Sequence, residues 1–335
     1  MLYYITDHGL GHITRSVAMI RELEKNGIEV IIRNSNVVYL NSSLPTTRVI
    51  TGITDVGPII EKNGISINEN KTKEVIGKWI KTLQSVSDKE TQLVSKIKPD
   101  LVVSDISVMP FLAAHNACIR SVAISNFSWV DVLNMLAEEQ ISLLSDAYRF
   151  ADLAIKLPLG TKMNTFQNKK HVGFVCKSPT QSRESARKKL GIKESEKCVF
   201  INLGEYFSIK PTINGHIQII STGARVDSNN VTYIKPWTEG QDIVAASDLV
   251  ICKCGYGMIS ECLTNGVPFL YVFDDKHGEQ NVMSDELIKM GLKNHITEDT
   301  LNEIILDEKH ILATKSRKEE NSTKSAAQIL IELVR

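Results

Sequence analysis

Two glycine-rich turns carry the residues best suited to chemistry in this sequence. The first reads Asp7-His-Gly-Leu-Gly-His12 and follows a short apolar run that begins at Leu2. The second reads Cys254-Gly-Tyr-Gly-Met258 and follows the apolar run Leu249–Cys252. Glycine has no Cβ, so it lets a ligand approach the backbone closely. A histidine in such a turn can take a proton near neutral pH, and free backbone N–H groups bind anions. Both turns therefore predict ligand contact.

The second turn is predicted to open a helix over Met258–Asn265. The first N–H groups of a helix have no partner within it and lie at the positive end of its dipole, which suits a phosphate. Glu261 lies about one turn into this helix. Because a carboxylate repels a phosphate, its expected partner is a sugar hydroxyl. The alternative for Glu261 is a solvent-exposed position on the helix surface.

The stretch from Trp237 to Gln280 resembles the nucleotide-sugar site of GT-B glycosyltransferases. The nearest pattern is that of the enzyme that adds N-acetylglucosamine to the lipid-linked peptidoglycan precursor. An Asp, an apolar strand, a glycine turn, a Glu, a Gly-x-Pro and a Gln share its spacing. The resemblance implies that the helix tip binds a diphosphate and that Glu261 holds ribose hydroxyls. Ser284 departs from the pattern, which often has an Asn there.

The same resemblance implies the remaining contacts of the second half. Trp237 is expected to border the base, although packing between domains is the alternative. Glu279 and Gln280 are expected to reach the transferred sugar. Gly204 follows a predicted strand, but the Gly-Ser pair usual in that loop is missing, so its contact with the diphosphate stays open. The substrate-binding residues implied here are Gly204, Trp237, Gly255, Tyr256, Gly257, Met258, Glu261, Glu279 and Gln280.

His12 is the candidate catalytic base. GT-B transferases have a Gly-His pair after their first strand, where Gly11 and His12 stand, and the resemblance implies that this His takes a proton. An acceptor hydroxyl is a poor nucleophile, so such a base is needed. The alternatives are a structural loop histidine at His12, or His8 as the base. Asp105 ends a predicted strand and is expected to bind the ring and set its tautomer, or else to cap the next helix.

Arg15 and Trp129 complete the predicted first-half site. Arg15 is expected to hold a carboxylate or phosphate, with a surface position or a salt bridge within the protein as the alternative. The run Asn126-Phe-Ser-Trp129, together with Gly9–Arg15, resembles the GT-B-like region that precedes the kinase part of L-arabinokinases. The kinase part itself is not in this sequence. Phe127 and Trp129 are predicted to stack on an acceptor, or alternatively to pack in the core.

The alternation of apolar runs and amphipathic stretches predicts two doubly wound α/β domains. With the resemblance, the expected fold is GT-B: two Rossmann-like, parallel-sheet domains facing a cleft. Residues 1–158 are predicted to bind the acceptor and residues 170–315 the nucleotide sugar, with a hinge between them. A last helix over 316–335 is expected to pack on the first domain. The other predicted elements used below are the strand Ile28–Ile32 and the helices Ile13–Asn26, Thr72–Lys98 and Asp131–Arg149.

Composition narrows the class of protein. The 335 residues include 39 Lys and Arg against 39 Asp and Glu, so no overall positive charge favours nucleic acid. No apolar run approaches the roughly 20 residues of a transmembrane helix, and the amino terminus lacks the charged region of a signal peptide. Six cysteines in a chain of this length suggest reduced thiols. Cys252 and Cys254 could bind a metal only with partners that the sequence does not offer. A cytoplasmic protein is expected.

These patterns predict a glycosyltransferase that moves a sugar from a nucleoside-diphosphate sugar, by resemblance a UDP-sugar, to an acceptor hydroxyl. No cofactor or metal is expected, because helix N–H groups can carry the charge of the leaving diphosphate. The resemblance implies inversion at the anomeric carbon. One alternative is a UDP-sugar 2-epimerase on the same fold, and another is a nucleotide-sugar-binding protein without activity. The acceptor stays open, a lipid-linked one included, and so does peripheral membrane contact.

Overall fold

The structure of the protein is a computed structural model that describes residues 1–62, 64–234 and 239–334. The chain divides into two units. Unit 1 comprises residues 1–59, residues 67–176 and the chain from Asn321 onwards, and unit 2 comprises residues 60–66 and 177–320. Trp237, predicted to border the base, lies outside the described residues.

Unit 1 is built on a seven-stranded parallel sheet in the order β3-β2-β1-β4-β5-β6-β7. Strand β1 is fully buried, as expected for a parallel sheet with helices on both faces. The strand order reverses between β1 and β4, and ligands of doubly wound sheets bind beyond the carboxyl ends at such a point. The strands are β1 Leu2–Ile5, β2 Ile31–Arg33, β3 Arg48–Ile50, β4 Val102–Asp105, β5 Ser121–Ser125, β6 Leu153–Lys156 and β7 Lys169–His171.

The helices of unit 1 differ from the predicted ones mainly at their ends. Helix α1 starts three residues before Ile13, and β2 starts three residues after Ile28. The predicted helix Asp131–Arg149 is wrong, because the chain breaks into two helices where Leu133 and Leu136 turn into the core. The helices are α1 Leu10–Lys25, α2 Val37–Ser43, α3 Glu69–Ile97, α4 Met109–Asn116, α5 Trp129–Val132 and α6 Glu138–Tyr148.

Unit 2 has a five-stranded parallel sheet in the order β13-β11-β8-β14-β15, whose order reverses between β8 and β14. Its strands are β8 Lys197–Asn202, β11 Ile217–Ser221, β13 Val231–Tyr233, β14 Leu249–Lys253 and β15 Phe269–Val272. Short pairs outside this sheet are formed by β9 Ser208–Ile209, β10 Thr212–Ile213, β12 Arg225–Val226 and β16 Ile305–Leu306. The helices are α7 Arg183–Lys189, α8 Gly240–Ala246, α9 Tyr256–Asn265, α10 Gly278–Lys289, α11 Glu298–Asn302 and α12 Glu308–Ala313.

The boundary between the units lies later than the predicted hinge. Strand β7 pairs with β6 through Lys169–His171, so the sheet of unit 1 extends past residue 158. The last helix, α13 Thr323–Val334, packs against α1 within unit 1. Its start is tied down where the Thr323 hydroxyl donates to the Cys176 carbonyl at 3.1 Å. The chain therefore ends in the unit in which it begins.

Residues 60–66 form a finger that joins unit 2, although the residues on either side belong to unit 1. The Glu61 N–H donates to the Ser66 carbonyl at 2.7 Å and closes the turn. Ile65 is buried in the apolar core of unit 2 with Leu203 and Phe207. The sequence gives no periodic signal in this irregular stretch, and the finger was not predicted.

Asp248 joins α7 to the start of β14. Its carboxylate accepts from Arg183 Nη2 at 2.8 Å, from Arg187 Nη1 at 3.2 Å and from the Cys198 N–H at 2.8 Å. We expect Asp248→Ala to lower the free energy of unfolding by about 2–3 kcal/mol, because charged hydrogen bonds are lost together. The measurement is urea unfolding followed by circular dichroism. The control is Asp146→Ala, whose exposed pair with Arg149 should contribute under about 1 kcal/mol. Equal effects of the two variants would contradict this role.

Candidate active site

The turn after β1 places His12 in the first turn of a helix. Gly9 precedes α1 with φ +77°, a backbone conformation that side chains other than glycine rarely adopt. Helix α1 therefore starts at Leu10, and Gly11 and His12 lie in its first turn beyond the carboxyl end of β1. Asp105 is the last residue of the neighbouring strand β4. The two predicted residues meet at the point where the strand order of unit 1 reverses.

His12 and Asp105 form a buried hydrogen bond. His12 is 6% exposed, and its Nδ1 lies 2.8 Å from Asp105 Oδ1. Burial acts to raise the pKa of Asp105, but the charges of Arg15 and His12 outweigh it and lower that pKa to about 2. Arg15 Nη2 also lies 2.8 Å from Nδ1 and can only donate, so the two neighbours favour opposite tautomers of the ring. In the tautomer that carries its proton on Nδ1, the Asp105 carboxylate is the acceptor. This tautomer puts the lone pair on Nε2, the arrangement that a general base needs.

Arg15 does not have the substrate role predicted for it, because its guanidinium is used inside unit 1. The side chain is 2% exposed. Nε donates to Asp105 Oδ2 at 2.7 Å, Nη2 donates to Asp105 Oδ1 at 2.5 Å, and Nη1 donates to Asn126 Oδ1 at 2.7 Å. Arg15 therefore holds a carboxylate of the protein itself, which agrees with the salt-bridge alternative and not with a surface position.

The aromatic residues after β5 form a wall beneath the turn. His12 packs edge-on against Phe127 at 5.8 Å, Phe127 against Trp129 at 5.4 Å, and Trp129 against His8 at 5.6 Å between ring centroids. Trp129 is 2% exposed, and its indole N–H donates to Asp55 at 3.0 Å. This burial favours the core-packing alternative for Trp129 and Phe127 over stacking on an acceptor, because the rings support the turn from the core.

Close backbone contact holds the start of this wall in place. Asn126 follows β5, and its carbonyl oxygen would lie 1.6 Å from a Cβ added at Gly160. Only glycine fits there. The Asn126 side chain links the same region to α1, because its Oδ1 accepts from Arg15 while its Nδ2 donates to the Leu159 carbonyl at 3.3 Å.

Two carboxylates of the site escaped the sequence analysis. Asp55 accepts from the Thr6 hydroxyl at 2.6 Å and from the Asp7 N–H at 3.2 Å, in addition to Trp129. Burial raises the pKa of Asp55, against the lowering effect of these hydrogen bonds. Asp7 in turn accepts from the Thr54 N–H at 2.6 Å. Asp55 lies in the irregular stretch after β3, where no periodicity or motif marks it. Asp7 belongs to the first glycine-rich turn, but no role was predicted for it.

The second turn also lies where the strand order reverses, now in unit 2. Gly255 precedes α9, and the Ile259 N–H is the first to bond back, to the Gly255 carbonyl at 3.1 Å. Helix α9 starts two residues before the predicted Met258. The amides of Tyr256, Gly257 and Met258 therefore belong to its first turn, whose N–H groups have no partner within a helix. Such a tip binds anions.

Glu261 is a buried carboxylate one turn behind this tip. It is 4% exposed, which rules out the solvent-exposed alternative. Burial raises its pKa to about 7, Lys177 acts to lower it, and Glu239 and Asp242 raise it further. No hydrogen bond to its side-chain oxygens occurs among the described residues, in contrast to Asp105. A buried carboxylate of this kind gains most from hydroxyl donors of a ligand.

The loop after β15 contains the residues predicted to reach the sugar. Glu279 and Gln280 lie in the first turn of α10, and Gln280 Oε1 accepts from the Asp274 N–H at 3.1 Å. Ser284, which departs from the family pattern, is buried and lies 3.0 Å from the Tyr271 hydroxyl. Its hydroxyl therefore has a partner within unit 2.

Gly204 and Lys253 lie together at the ends of β8 and β14. A Cβ added at Gly204 would lie 3.4 Å from Lys253 Nζ. This ammonium donates to the Gly64 carbonyl at 2.7 Å and lies 5.6 Å from the centre of the Phe207 ring. Burial lowers the pKa of Lys253. No role was predicted for Lys253, which directly follows the apolar run Leu249–Cys252 and belongs to no recognised motif.

Within the described residues, His, Cys, Asp and Glu form no group of three or more able to hold a metal ion. Cys252 and Cys254 are buried free thiols whose pKa is raised by burial. No helix in the described part of the chain is long and apolar enough to cross a membrane.

Comparison with protein families gives a match in each half. Residues 1–167 match the model described as "Glycosyl transferase family 1", and residues 211–333 match the "Glycosyltransferase family 28 C-terminal domain". An L-arabinokinase of Arabidopsis thaliana is 28% identical over 306 residues, which cover 85% of this chain and 29% of that protein. The chain therefore spans under a third of this curated relative.

Solved structures share the fold along nearly the whole chain. A structure titled as the glycotransferase of kitacinnamycin has a TM-score of 0.62 at 15% identity and covers 100% of this chain and 99% of its own. UGT89C1 of Arabidopsis thaliana has a TM-score of 0.61 at 14% identity and covers 99% of this chain and 93% of its own. UGT89C1 has also been solved with UDP and with UDP-L-rhamnose.

The two doubly wound units match the predicted α/β architecture, and the solved neighbours are glycosyltransferases of the GT-B fold. Both family matches describe glycosyltransferases. The chain therefore belongs to the GT-B glycosyltransferases.

Proposed function

We propose that this chain transfers a sugar from a UDP-sugar to an acceptor hydroxyl, with inversion and without a metal. The observation that supports the proposal is the 2.8 Å contact of His12 Nδ1 with Asp105. With Nδ1 donating in this contact, Nε2 is the basic nitrogen. The second support is the α9 tip with Glu261 behind it. Unit 1 supplies the base and unit 2 holds the donor.

The proposed step is a single displacement at the anomeric carbon. The acceptor oxygen forms a bond to that carbon while the bond to the diphosphate oxygen breaks. The acceptor proton moves to His12 Nε2, and Asp105 stabilises the imidazolium that forms. UDP leaves with the bonding electrons, and the first N–H groups of α9 bind its added negative charge. One displacement inverts the configuration.

The choice of UDP rests on the ribose and on the relatives. We infer that Glu261 accepts from ribose hydroxyls, which would give hydrogen-bond donors to a buried carboxylate whose pKa is raised by burial. UGT89C1, which shares the fold, binds UDP and UDP-L-rhamnose. The α9 tip offers the diphosphate a positive dipole end, so the proposal needs no metal at this position.

The proposal is tested by nucleotide binding followed by product analysis. Calorimetry compares UDP, TDP and GDP, and then UDP-glucose, UDP-galactose and UDP-N-acetylglucosamine. The tightest donor is incubated with a panel of sugar, phenol and lipid-linked acceptors, with and without EDTA. A new glycoside that forms equally with EDTA supports the proposal. An epimerised sugar without acceptor indicates the epimerase, and UDP binding without turnover indicates a binding protein.

His12→Ala should abolish transfer and leave donor binding intact. Loss of a general base lowers the rate by about 10²–10⁴-fold, while the UDP dissociation constant should stay within about twofold because His12 lies in unit 1. UDP release gives the rate, and calorimetry gives the affinity. The control is His310→Ala, which removes an exposed histidine whose Nδ1 also lies 2.7 Å from an aspartate, Asp307. Transfer by His12→Ala at the control rate would exclude His12 as the base.

Glu261 should make donor affinity depend on pH. Its pKa of about 7 falls when ribose hydroxyls bind the ionised form, so UDP-glucose affinity should rise between pH 6 and pH 8. Glu261→Gln should weaken UDP-glucose about tenfold at pH 8, from loss of a charged hydrogen bond, and should flatten this dependence. Calorimetry at several pH values is the measurement, and Glu298→Gln, an exposed residue of α11, is the control. A pH profile unchanged by Glu261→Gln would remove Glu261 from the ribose site.

The same pKa predicts an opposite trend in stability. Folding raises the pKa of Glu261 from 4.5 to about 7, so the folded protein binds the proton more tightly than the unfolded chain does. The stabilisation is complete below pH 4.5 and is lost as the pH rises through 7, by up to about 3 kcal/mol. Urea unfolding between pH 5 and pH 8 should show this loss in the unmodified protein and not in Glu261→Gln. An identical slope in both would contradict the raised pKa.

A further inference from the structure

Among the described residues of unit 2, fully buried side-chain atoms without a hydrogen-bond partner occur on Thr222, Gln241 and His277. All follow carboxyl ends of strands: Thr222 comes directly after β11, Gln241 is in the first turn of α8 after β13, and His277 comes after β15. A buried polar atom without a hydrogen bond is energetically unfavourable and needs an explanation. One explanation is that a bound ligand supplies the missing hydrogen bond. The corresponding atoms in unit 1 share no common edge and belong to Tyr3, Ser43, Ser87 and Thr165.

Of these three residues, His277 lies at the amino-terminal end of a helix of more than two turns. It is the N-cap of α10, which has 12 residues, and its side chain makes no capping hydrogen bond. The residue is 6% exposed, and its Nδ1 has no partner. Burial lowers its pKa, against the raising effect of Glu279 and Asp274. A neutral imidazole therefore lies at the start of this helix, able to donate from one nitrogen and accept at the other.

The neighbours of His277 provide a carboxylate and an amide. Glu279 and Gln280 are half-buried in the first turn of α10. Gln280 Oε1 is bound to the Asp274 N–H, which leaves its NH₂ group as a donor. A carboxylate, an amide donor and an imidazole within four residues suit the hydroxyls of a sugar, which both donate and accept. A phosphate would be repelled by Glu279.

We propose that His277 recognises the transferred sugar of the donor, with its imidazole turning so that a ring nitrogen hydrogen-bonds one sugar hydroxyl. The inference rests on the proposed function and adds a sugar-selecting residue to it. Strand β15 lies beside β14, whose end leads into the α9 tip. His277 therefore follows the strand next to the diphosphate position, on the opposite side of β14 from β8. Because His277 lies beyond the strand next to the proposed diphosphate position, we expect it to contact the sugar and not the nucleotide.

The test compares a nucleotide with the same nucleotide carrying a sugar. Calorimetry measures UDP and the tightest of UDP-glucose, UDP-galactose and UDP-N-acetylglucosamine on the unmodified protein, on His277→Ala and on His277→Asn. We expect His277→Ala to leave the UDP dissociation constant within about twofold and to raise that of the UDP-sugar about five- to tenfold, as for one lost hydrogen bond. His277→Asn, which keeps a donor and an acceptor, should recover most of this loss. The control is Lys276→Ala, an exposed neighbour, which should change neither.

The outcomes separate this inference from the proposed function. If the unmodified protein binds neither UDP nor any UDP-sugar, the proposed function fails and the role of His277 fails with it. If UDP-sugar binds and His277→Ala weakens UDP and UDP-sugar equally, His277 shapes the loop and the sugar contact is wrong. No change in either affinity also overturns the contact. Should His277→Ala prove unstable in thermal unfolding, His277→Leu keeps the volume without polar atoms and takes its place.

Discussion

The first unit depends on one buried ion pair, that of Arg15 with Asp105. Both oxygens of the carboxylate accept from the guanidinium, and Asp105 Oδ2 also accepts from Ser16 at 3.1 Å. Arg15 continues to Asn126, so α1 is joined to the ends of β4 and β5 at once. Burying two charges costs desolvation free energy that their attraction often only offsets. We infer that the pair serves geometry: it leaves Asp105 ionised and directed at Nδ1 of His12.

The carboxylate of Glu261 in unit 2 has the opposite environment to that of Asp105, because it lacks hydrogen-bond donors among the described residues. Asp105 is surrounded by donors of its own unit, and its pKa falls to about 2. Glu261 is also buried, but burial raises its pKa to about 7 even though the charge of Lys177 acts to lower it. A carboxylate fully bonded within the protein can orient a neighbour and has little capacity left for a substrate. One that lacks donors in the described chain is suited to bind one. The number of hydrogen-bond donors around each carboxylate therefore indicates its role. Asp105 supports a neighbouring residue, and Glu261 is suited to bind a ligand.

The parts of this arrangement that follow from local sequence could be predicted. Apolar runs followed by glycine turns gave the strands, the loops after β1 and β14, and the α/β class of both units. The pairing of His12 with Asp105 also follows, because parallel strands bring their carboxyl ends to one edge. What failed depends on burial, which a single sequence does not show. Arg15 and Trp129 have side chains typical of ligand contacts. In the structure, the Arg15 guanidinium binds Asp105, and the Trp129 ring packs beneath the turn. The breaks and starts of helices were missed by two to several residues for the same reason.

The finger of residues 60–66 shows why the division into units could not be derived from the order of the chain. It contributes to unit 2 the buried side chain of Ile65 and the carbonyl of Gly64, which accepts from Lys253. Neither has a periodic pattern, and both stand more than a hundred residues before the rest of that unit. Lys253 is a partly buried cation whose pKa is lowered by burial, so a carbonyl partner offsets part of the cost of enclosing it. The Gly204 loop, which lacks the usual Gly-Ser pair, packs around the same residues through Phe207. The Gly204 loop departs from the family pattern, and the finger supplies packing and a hydrogen bond beside it. The two features are therefore best interpreted together.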